Sequence, residues 1–505
     1  MLNVTNIGVI FGILTITQVP AAFPDANPVL MAIITSVACL LPALLYGMWT
    51  SIVPRSGADY VWNSRVFSPI IGFGASFLAV IWYVLVNGFL AYLIGSDALP
   101  TALKIFGQTT GNQAIAAFGD KCAGTNVTFV IGVVSLLIGL GVAALGMRRA
   151  ATVITWILGF ELLGLVVAFI VLLTHSGADF QAAVSAHGTA YSDYLALAQQ
   201  AGYAQEKYRL LPTLLSMPPL YLGIGYAVAS AYAGGEIRGA RKSAMWGPPV
   251  AVIIAGIAIV GSYLAASSTI GFRFIGAATN LFEQGSTAYT LPIGANYFGF
   301  VSLLNHSPIV AAILAIAYIL APLASICVVT LYCTRSVFSW SFDRILPDKL
   351  ASVNSRTAVP TAALVFVFFV GFVYLLVIRL FGGSALGTLG ATVVGSSFAF
   401  MFAAVGAILL PFLRKTRPIY EMSPIKGKFL GIPVISLVGA GALVVYVFMF
   451  VAALVEGRIG ANTAQALIAQ VIVLGLALLI YPISYLLNRR RGVDLRLLGR
   501  ELPPD

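Results

Sequence analysis

Charged residues are scarce in this chain. Asp, Glu, Lys and Arg supply only 9% of its 505 residues, against roughly 25% in an ordinary soluble domain. With 60% of the chain hydrophobic, that balance excludes a water-soluble globule. Histidine is almost missing: His175, His187 and His306 are the only three. None stands in an HExxH pattern or beside paired carboxylates at helical spacing, and no Gly-rich phosphate loop occurs. Metal-assisted hydrolysis and ATP-driven transport therefore find no support, no enzyme is indicated, and no cofactor or metal is called for. The four cysteines, Cys39, Cys122, Cys327 and Cys333, show neither CxxC nor zinc-like spacing, which leaves no disulfide framework. No basic stretch precedes the first apolar block, which is followed by Pro20 and Phe23-Pro24, so no cleavable signal peptide is read there.

Long apolar runs fill the space left by charge. Length alone would suggest about three soluble domains. The apolar residues instead lie in blocks able to cross a bilayer core of ~30 Å, which takes ~20 helical residues. Twelve helices are predicted, over 5–21, 29–52, 68–96, 127–146, 152–174, 211–233, 247–271, 308–334, 358–378, 386–411, 433–455 and 465–487. The fold class is an all-α polytopic membrane protein. Its 50 glycines and 24 prolines would weaken helices in water, but membrane helices tolerate both where neighbours satisfy the freed backbone groups.

An even number of crossings puts both termini on one side, and Lys and Arg decide which. Of the 28, 21 lie in the termini and even-numbered loops. The positive-inside rule therefore expects cytoplasmic termini in the cell membrane. The net charge of +11 reads as this orientation signal, together with attraction to anionic lipid of the cytoplasmic leaflet. A nucleic-acid partner is not expected.

Within the predicted spans one residue is formally charged: Glu161, in TWILGFELLGLVV of helix 5. A charge at that depth costs ~2.5 to 3.5 kcal/mol on insertion scales, so such residues face a cavity, pair with a partner or carry a proton. The alternative is a protonated carboxyl bonded to a neighbouring helix, without a role in turnover.

A second signal lies in the backbone. Pro218, Pro219, Gly223 and Gly225 crowd helix 6, PTLLSMPPLYLGIGYAVASAYAGG, and weaken its ladder near mid-depth. A broken helix is predicted. Irregular backbone survives in a bilayer only where it is buried in protein or lines a wet cavity, and in secondary transporters half-helix ends face the substrate there. An intact helix packing closely through its glycines is the other reading. Helix 1 opens NVTNIGVIFG, placing Asn3, Thr5, Asn6 and Gly8 at the start of an otherwise apolar span that Gln18 and Pro20 close. These polar residues form either an interfacial cap or a second discontinuity.

The loops PRSGADYVWNSR, after helix 2, and TRSVFSWSFDRILPDKLASVNSRTAVP, after helix 8, mix Arg and Asp with aromatics. Charged pairs at helix ends can open and close in a conformational cycle, and such mixtures also arise simply from topology.

PRSGADYVWNSRVFSPIIGF, AGGEIRGARKS, TRSVFSWSFDRILPDKLASVNSRTAVPTAAL and RKTRPIYEMSP together resemble the corresponding segments of amino acid permeases of the amino acid, polyamine and organocation transporter superfamily. They cover almost the whole chain in the right order. The resemblance implies a leucine-transporter-type architecture: an inverted repeat of helices 1 to 5 in residues 1–175, an outer loop over 176–210, a second repeat of helices 6 to 10 in 211–413, and helices 11 and 12 with a cytoplasmic tail in 414–505. It implies a small-molecule substrate, an amino acid or related amine, between the broken helices. Asn3, Thr5, Asn6 and Gly8 would stand on one side, and Gly223, Ile224, Gly225 and Tyr226 on the other. The helix 1 break then falls almost at Met1, so either the true start lies upstream or the inner half-helix is absent.

Glu161 falls where some proton-coupled members carry a lysine in place of a sodium ion, which reverses the sign. Ser325 offers a hydroxyl at the architecture's sodium site, whereas its neighbour Ile326 offers none. The implied coupling ion is H⁺ or Na⁺, with proton coupling or exchange preferred. A polyamine or nucleobase transporter on the same fold, or a non-transporting amino acid sensor, is the alternative.

Overall fold

The computed structural model describes residues 1–204, 206–237, 240–495 and 498, apart from the side chains of 10, 11, 240–243 and 385. Arg238, Arg496 and Arg500, counted above for orientation, lie outside the described residues, as do the side chains of Arg241 and Lys242. The chain is an all-α polytopic membrane protein. Among the described residues eleven helices are long and apolar enough to cross a membrane, and shorter pieces over 210–232 make a further crossing.

Helix 1 comprises Leu2–Ile7 and Val9–Ala22, and helix 2 comprises Pro28–Ala38 and Leu40–Ile52. Helix 3 runs as Pro69–Leu93, a π turn at Ile94–Ala98, and Leu99–Thr110. Helices 4 and 5 are Thr125–Ala144 and Met147–Thr174. Helix 6 is in three pieces, Leu210–Leu215, Met217–Ile224 and Ala229–Tyr232. Helices 7 to 12 are Ala240–Thr269, Pro308–Phe342, Thr361–Phe381, Ala385–Leu409, Val434–Val455 and Ala464–Arg490. Local chemistry sets many starts. Asn27 caps helix 2 by accepting from Leu30 N at 3.1 Å, with Pro28 in the first turn, where its missing N–H costs nothing. Pro69 and Pro308 begin helices 3 and 8 in the same way.

Burial divides the bundle. Of the eleven long helices, helix 3 has the most buried span and helix 12 the least. Trp156 on helix 5, Val444 on helix 11 and Val471 on helix 12 are each about 70% exposed, an outward apolar face that suits lipid. Inside lie large aromatics: Trp49 stacks on Trp62 at 5.4 Å, and the Trp49 indole donates to Ala403 O at 3.0 Å.

Several predicted bounds are corrected. Helix 3 does not end at 96, because the π turn lets the ladder continue through Asp97. Helix 8 continues to Phe342 and takes in Arg335. Glu161 is therefore not the sole charged residue in the crossings. The outer segment 176–210 is partly helical, at Gly177–Ser185 and Tyr191–Gln200, where Ser176 and Asp179 form a capping box. In the following, the basic face is the bundle end bearing the Lys- and Arg-rich loops.

Candidate functional site

Helix 1 changes hand at one residue. Gly8 has φ 59° and ψ 76°, a left-handed conformation that costs a side-chain-bearing residue roughly 1 to 2 kcal/mol. Its N–H closes the first half-helix onto Thr5 O at 3.1 Å, while its carbonyl accepts from Gly12 N at 3.0 Å and starts the second. The N–H groups of the residues at 9, 10 and 11 then open the second half-helix, where helix geometry gives them no acceptor in their own ladder. Leu2–Ile7 is helical, so the discontinuity is at Gly8 and not spread over Asn3 to Gly8.

Helix 6 breaks twice, and for different reasons. Pro218 and Pro219 sit in the first turn of Met217–Ile224, behind an interruption at Ser216, and so start a half-helix instead of destroying one. The glycines make the main gap. Gly225 N reaches back to Tyr221 O at 2.7 Å, residues 225–228 carry no helix, and Ala229–Tyr232 resumes it. A Cβ on Gly225 would strike the Tyr221 ring. Helix 6 therefore presents carbonyls at the end of its first half, facing helix 1.

The two breaks meet. Gly223 lies against Gly12, with room for a Cβ at 3.4 Å from the Gly12 Cα. Asn6 donates its side-chain amide to Tyr226 O. Asn3 donates to Ser230 Oγ at 2.8 Å and accepts from Ser230 N at 2.9 Å. Thr5 is buried, and its hydroxyl donates to Met1 O of its own turn at 3.3 Å. Ile224 is fully buried beside the gap. The Tyr226 hydroxyl meets Ser396 Oγ of helix 10, and its ring packs edge-on to Tyr83 at 5.1 Å and near Phe400 at 5.8 Å. Tyr83 in turn meets Tyr332 at 5.5 Å. Helices 3, 6, 8 and 10 thus close an aromatic, hydroxyl-rich box with no formal charge among these members. Its residues come from four helices, so only Tyr226 was identifiable from the sequence.

Glu161 is fully buried on helix 5. Thr155, further down that helix, meets the Met1 sulfur. Counting about 1.5 Å per residue up two helices that both leave the basic face, Glu161 stands level with Gly8. Ser325 is elsewhere: Gly164 lies against Ala317 of the antiparallel helix 8, and the same count puts Ser325 about 7 Å nearer the basic face than Glu161.

Both ends of the site are closed. At the basic face, Ser56 pairs with Ala233 as an antiparallel bridge and Gly57 N donates to Tyr232 O at 3.2 Å. Arg335 holds Glu236 at 3.0 Å. Ser339 Oγ donates to Ser56 O at 3.3 Å and Tyr60 donates to Asp343, so the loops after helices 2 and 8 do come together. At the opposite face, Asp25 takes Arg458 at 2.6 Å and Arg209 at 3.0 Å. Arg458 also holds Glu456 at 2.9 Å and lies 4.3 Å over the Phe23 ring. A cleft of about 770 Å³ opens at the basic face between Arg65, Phe67, Lys415 and Tyr485. None of the residues at the two breaks lines it.

A protein-family model described as amino acid permease matches residues 4–478. The chain belongs to the amino acid permease family. No curated protein matches it. The permease is thus a transporter-family protein for amino acids or related substrates, embedded in a membrane by many crossings.

Proposed function

We propose that the permease is a secondary transporter that carries an amino acid or related amine by alternating access, coupled to protons or running as an exchanger. The observation that carries this reading is the facing pair of gaps, at Gly8 and at 225–228, buried in mid-bundle. The 14-residue half-helix Val9–Ala22 presents the positive end of its dipole and N–H groups with no acceptor in their own ladder, which suit a carboxylate. The half-helix Met217–Ile224 presents its last carbonyls, which suit an ammonium. The substrate's remaining part would meet Tyr83, Tyr226, Tyr332 and Phe400. That uncharged box favours a neutral side chain over a polyamine, whose second cation would lack an acid.

In this reading the repeats 1–175 and 211–413 rock about the site, 176–210 stays outside, and 414–505 is peripheral. Both termini face the cytoplasm of the cell, and the basic face meets anionic lipid. Glu161 is the coupling carboxyl, level with the helix 1 break, and Ser325 contributes to a cation site below it. No catalytic chemistry is assigned.

The test has two steps. A thermal-shift screen of the purified protein against the twenty amino acids, polyamines and nucleobases identifies a ligand that binds the folded form. Counterflow of that labelled ligand in proteoliposomes then separates transport from sensing. Stabilisation by an amino acid with counterflow is expected. Stabilisation only by a nucleobase or polyamine changes the substrate, and binding without counterflow makes the protein a sensor. Glu161→Gln should lose the pH dependence of uptake, and an unchanged profile removes Glu161 from the mechanism.

A further inference from the structure

One carboxyl lies outside the crossings, takes no part in the site just described, and is completely buried. Asp59 opens the short helix Asp59–Val66 between helices 2 and 3, and it is 0% exposed. Its Oδ1 accepts from Tyr60 N at 2.9 Å, and among the described residues its Oδ2 has no hydrogen-bond partner. The groups around it are hydroxyls. Tyr232 of helix 6 and Ser76 of helix 3 face it most closely, with Tyr46 of helix 2, Tyr332 of helix 8 and Tyr446 of helix 11 behind them. The formal charges on these elements are engaged elsewhere: Arg335 with Glu236, and Arg65, at the far end of the short helix, with Val61 O, beside Asp343 and Arg55.

Asp59 also adjoins the closure at the basic face. Two residues before it, Gly57 N donates to Tyr232 O, and Ser56 bridges to Ala233. These contacts tie the loop to the last piece of helix 6, and Tyr232, the residue held at its carbonyl, turns its hydroxyl towards the Asp59 carboxyl.

We propose that Asp59 is a proton-carrying gate residue: it is neutral while the basic-face closure is shut and releases its proton to water on that face when the closure opens. The step breaks one O–H bond, leaves the electron pair on the carboxylate, and passes H⁺ to solvent. This inference rests on the alternating-access reading. It adds a second carboxyl, in the gate itself, to the membrane-embedded Glu161. Burial supports it, pushing the carboxyl up from its ordinary value of 3.8 to about 7 against the smaller opposing pull of the facing Tyr232 and Ser76 hydroxyls and the backbone N–H groups.

The sign follows. The shut form holds the proton up to about pH 7, whereas a hydrated aspartate loses it near ~4. Between those values one proton leaves on opening, so opening grows about tenfold per pH unit. Above about pH 7 the dependence levels off.

Hydrogen–deuterium exchange of the amides in 54–60 and 229–236, corrected for intrinsic rates and run from pH 4.5 to 8 on the purified full chain, reads the gate without any solute. The wild type should open about tenfold more per unit up to pH 7. Asp59→Asn should lose the slope and be at least as protected at pH 7 as the wild type is at pH 4.5. Ser76→Ala, which keeps the carboxyl but removes a hydroxyl facing it, should move the upper limit of the pH dependence higher while keeping the one-proton slope. Equal slopes in wild type and Asp59→Asn, or no shift with Ser76→Ala, overturn the proposal. Because counterflow is measured separately, a failed transport assay with a titrating gate overturns the transport reading alone.

Discussion

The two faces of the permease shut the same site with opposite chemistry. At the basic face the seal described is made mostly of neutral groups: a two-residue backbone bridge, the Asn3–Ser230 pair and stacked Tyr232 and Tyr332, beside the Arg335–Glu236 ion pair. At the other face the seal is ionic, with Asp25 and Glu456 sharing Arg209 and Arg458. The pH behaviour differs accordingly. Hydrogen bonds from Arg458 hold the Glu456 carboxyl below its ordinary value, so its contribution is complete above ~4.5 and lost as pH falls further. Asp59 is raised by burial, so the basic-face seal is strongest in acid and weakens as pH rises toward 7.

The comparison can be broken at several points. The largest effect is expected from Glu236→Ala, which strands Arg335, only 6% exposed. Stranding a buried charge costs 3–5 kcal/mol, and because Glu236 itself is 37% exposed the expected loss is about 3 kcal/mol, read as a lowered Tm. Asp25→Asn should cost about 2 kcal/mol by the same measurement, because it weakens charge-assisted bonds to two arginines that remain partly hydrated. Third, moving from pH 7 to pH 6 should tighten the basic-face seal about fivefold, near 1 kcal/mol, and leave exchange of amides around Asp25 unchanged. Loosening at both faces would show that the two seals do not differ as described. Tyr226→Phe keeps the ring but loses the Ser396 contact, and should raise the KM for uptake by about fivefold, near 1 kcal/mol. Smallest of all, Arg417→Ala removes an exposed pair with Glu421 and should change Tm by no more than the roughly 0.5 kcal/mol of such pairs.

Much of this was legible in the sequence because membrane crossings and lone intramembrane charges are local signals. The gap at 225–228 follows from Gly223 and Gly225, and Glu161 stands out against TWILGFELLGLVV. Proline was the poorer guide: Pro218 and Pro219 begin a half-helix, and Pro322 in helix 8 and Pro482 in helix 12 leave continuous helices. Only the position of a proline relative to a helix start decides its effect. Asp97 was hidden because the π turn carries helix 3 past the expected end, where Thr101, Asn296 and Tyr318 donate to its carboxyl. Asp59 was hidden for a different reason. Its segment reads as a polar loop, and its burial comes from aromatics contributed by helices 2, 6, 8 and 11, which no local pattern announces.

The central claim is that main chain freed at Gly8 and at 225–228 holds the solute. A structure determined with the amino acid that most raises Tm tests it directly. The account predicts the ligand's carboxylate at the N–H groups opening Val9–Ala22 and its ammonium at the last carbonyls of Met217–Ile224. Ligand found in the 770 Å³ cleft beside Arg65 and Lys415, with both gaps unoccupied, would contradict it.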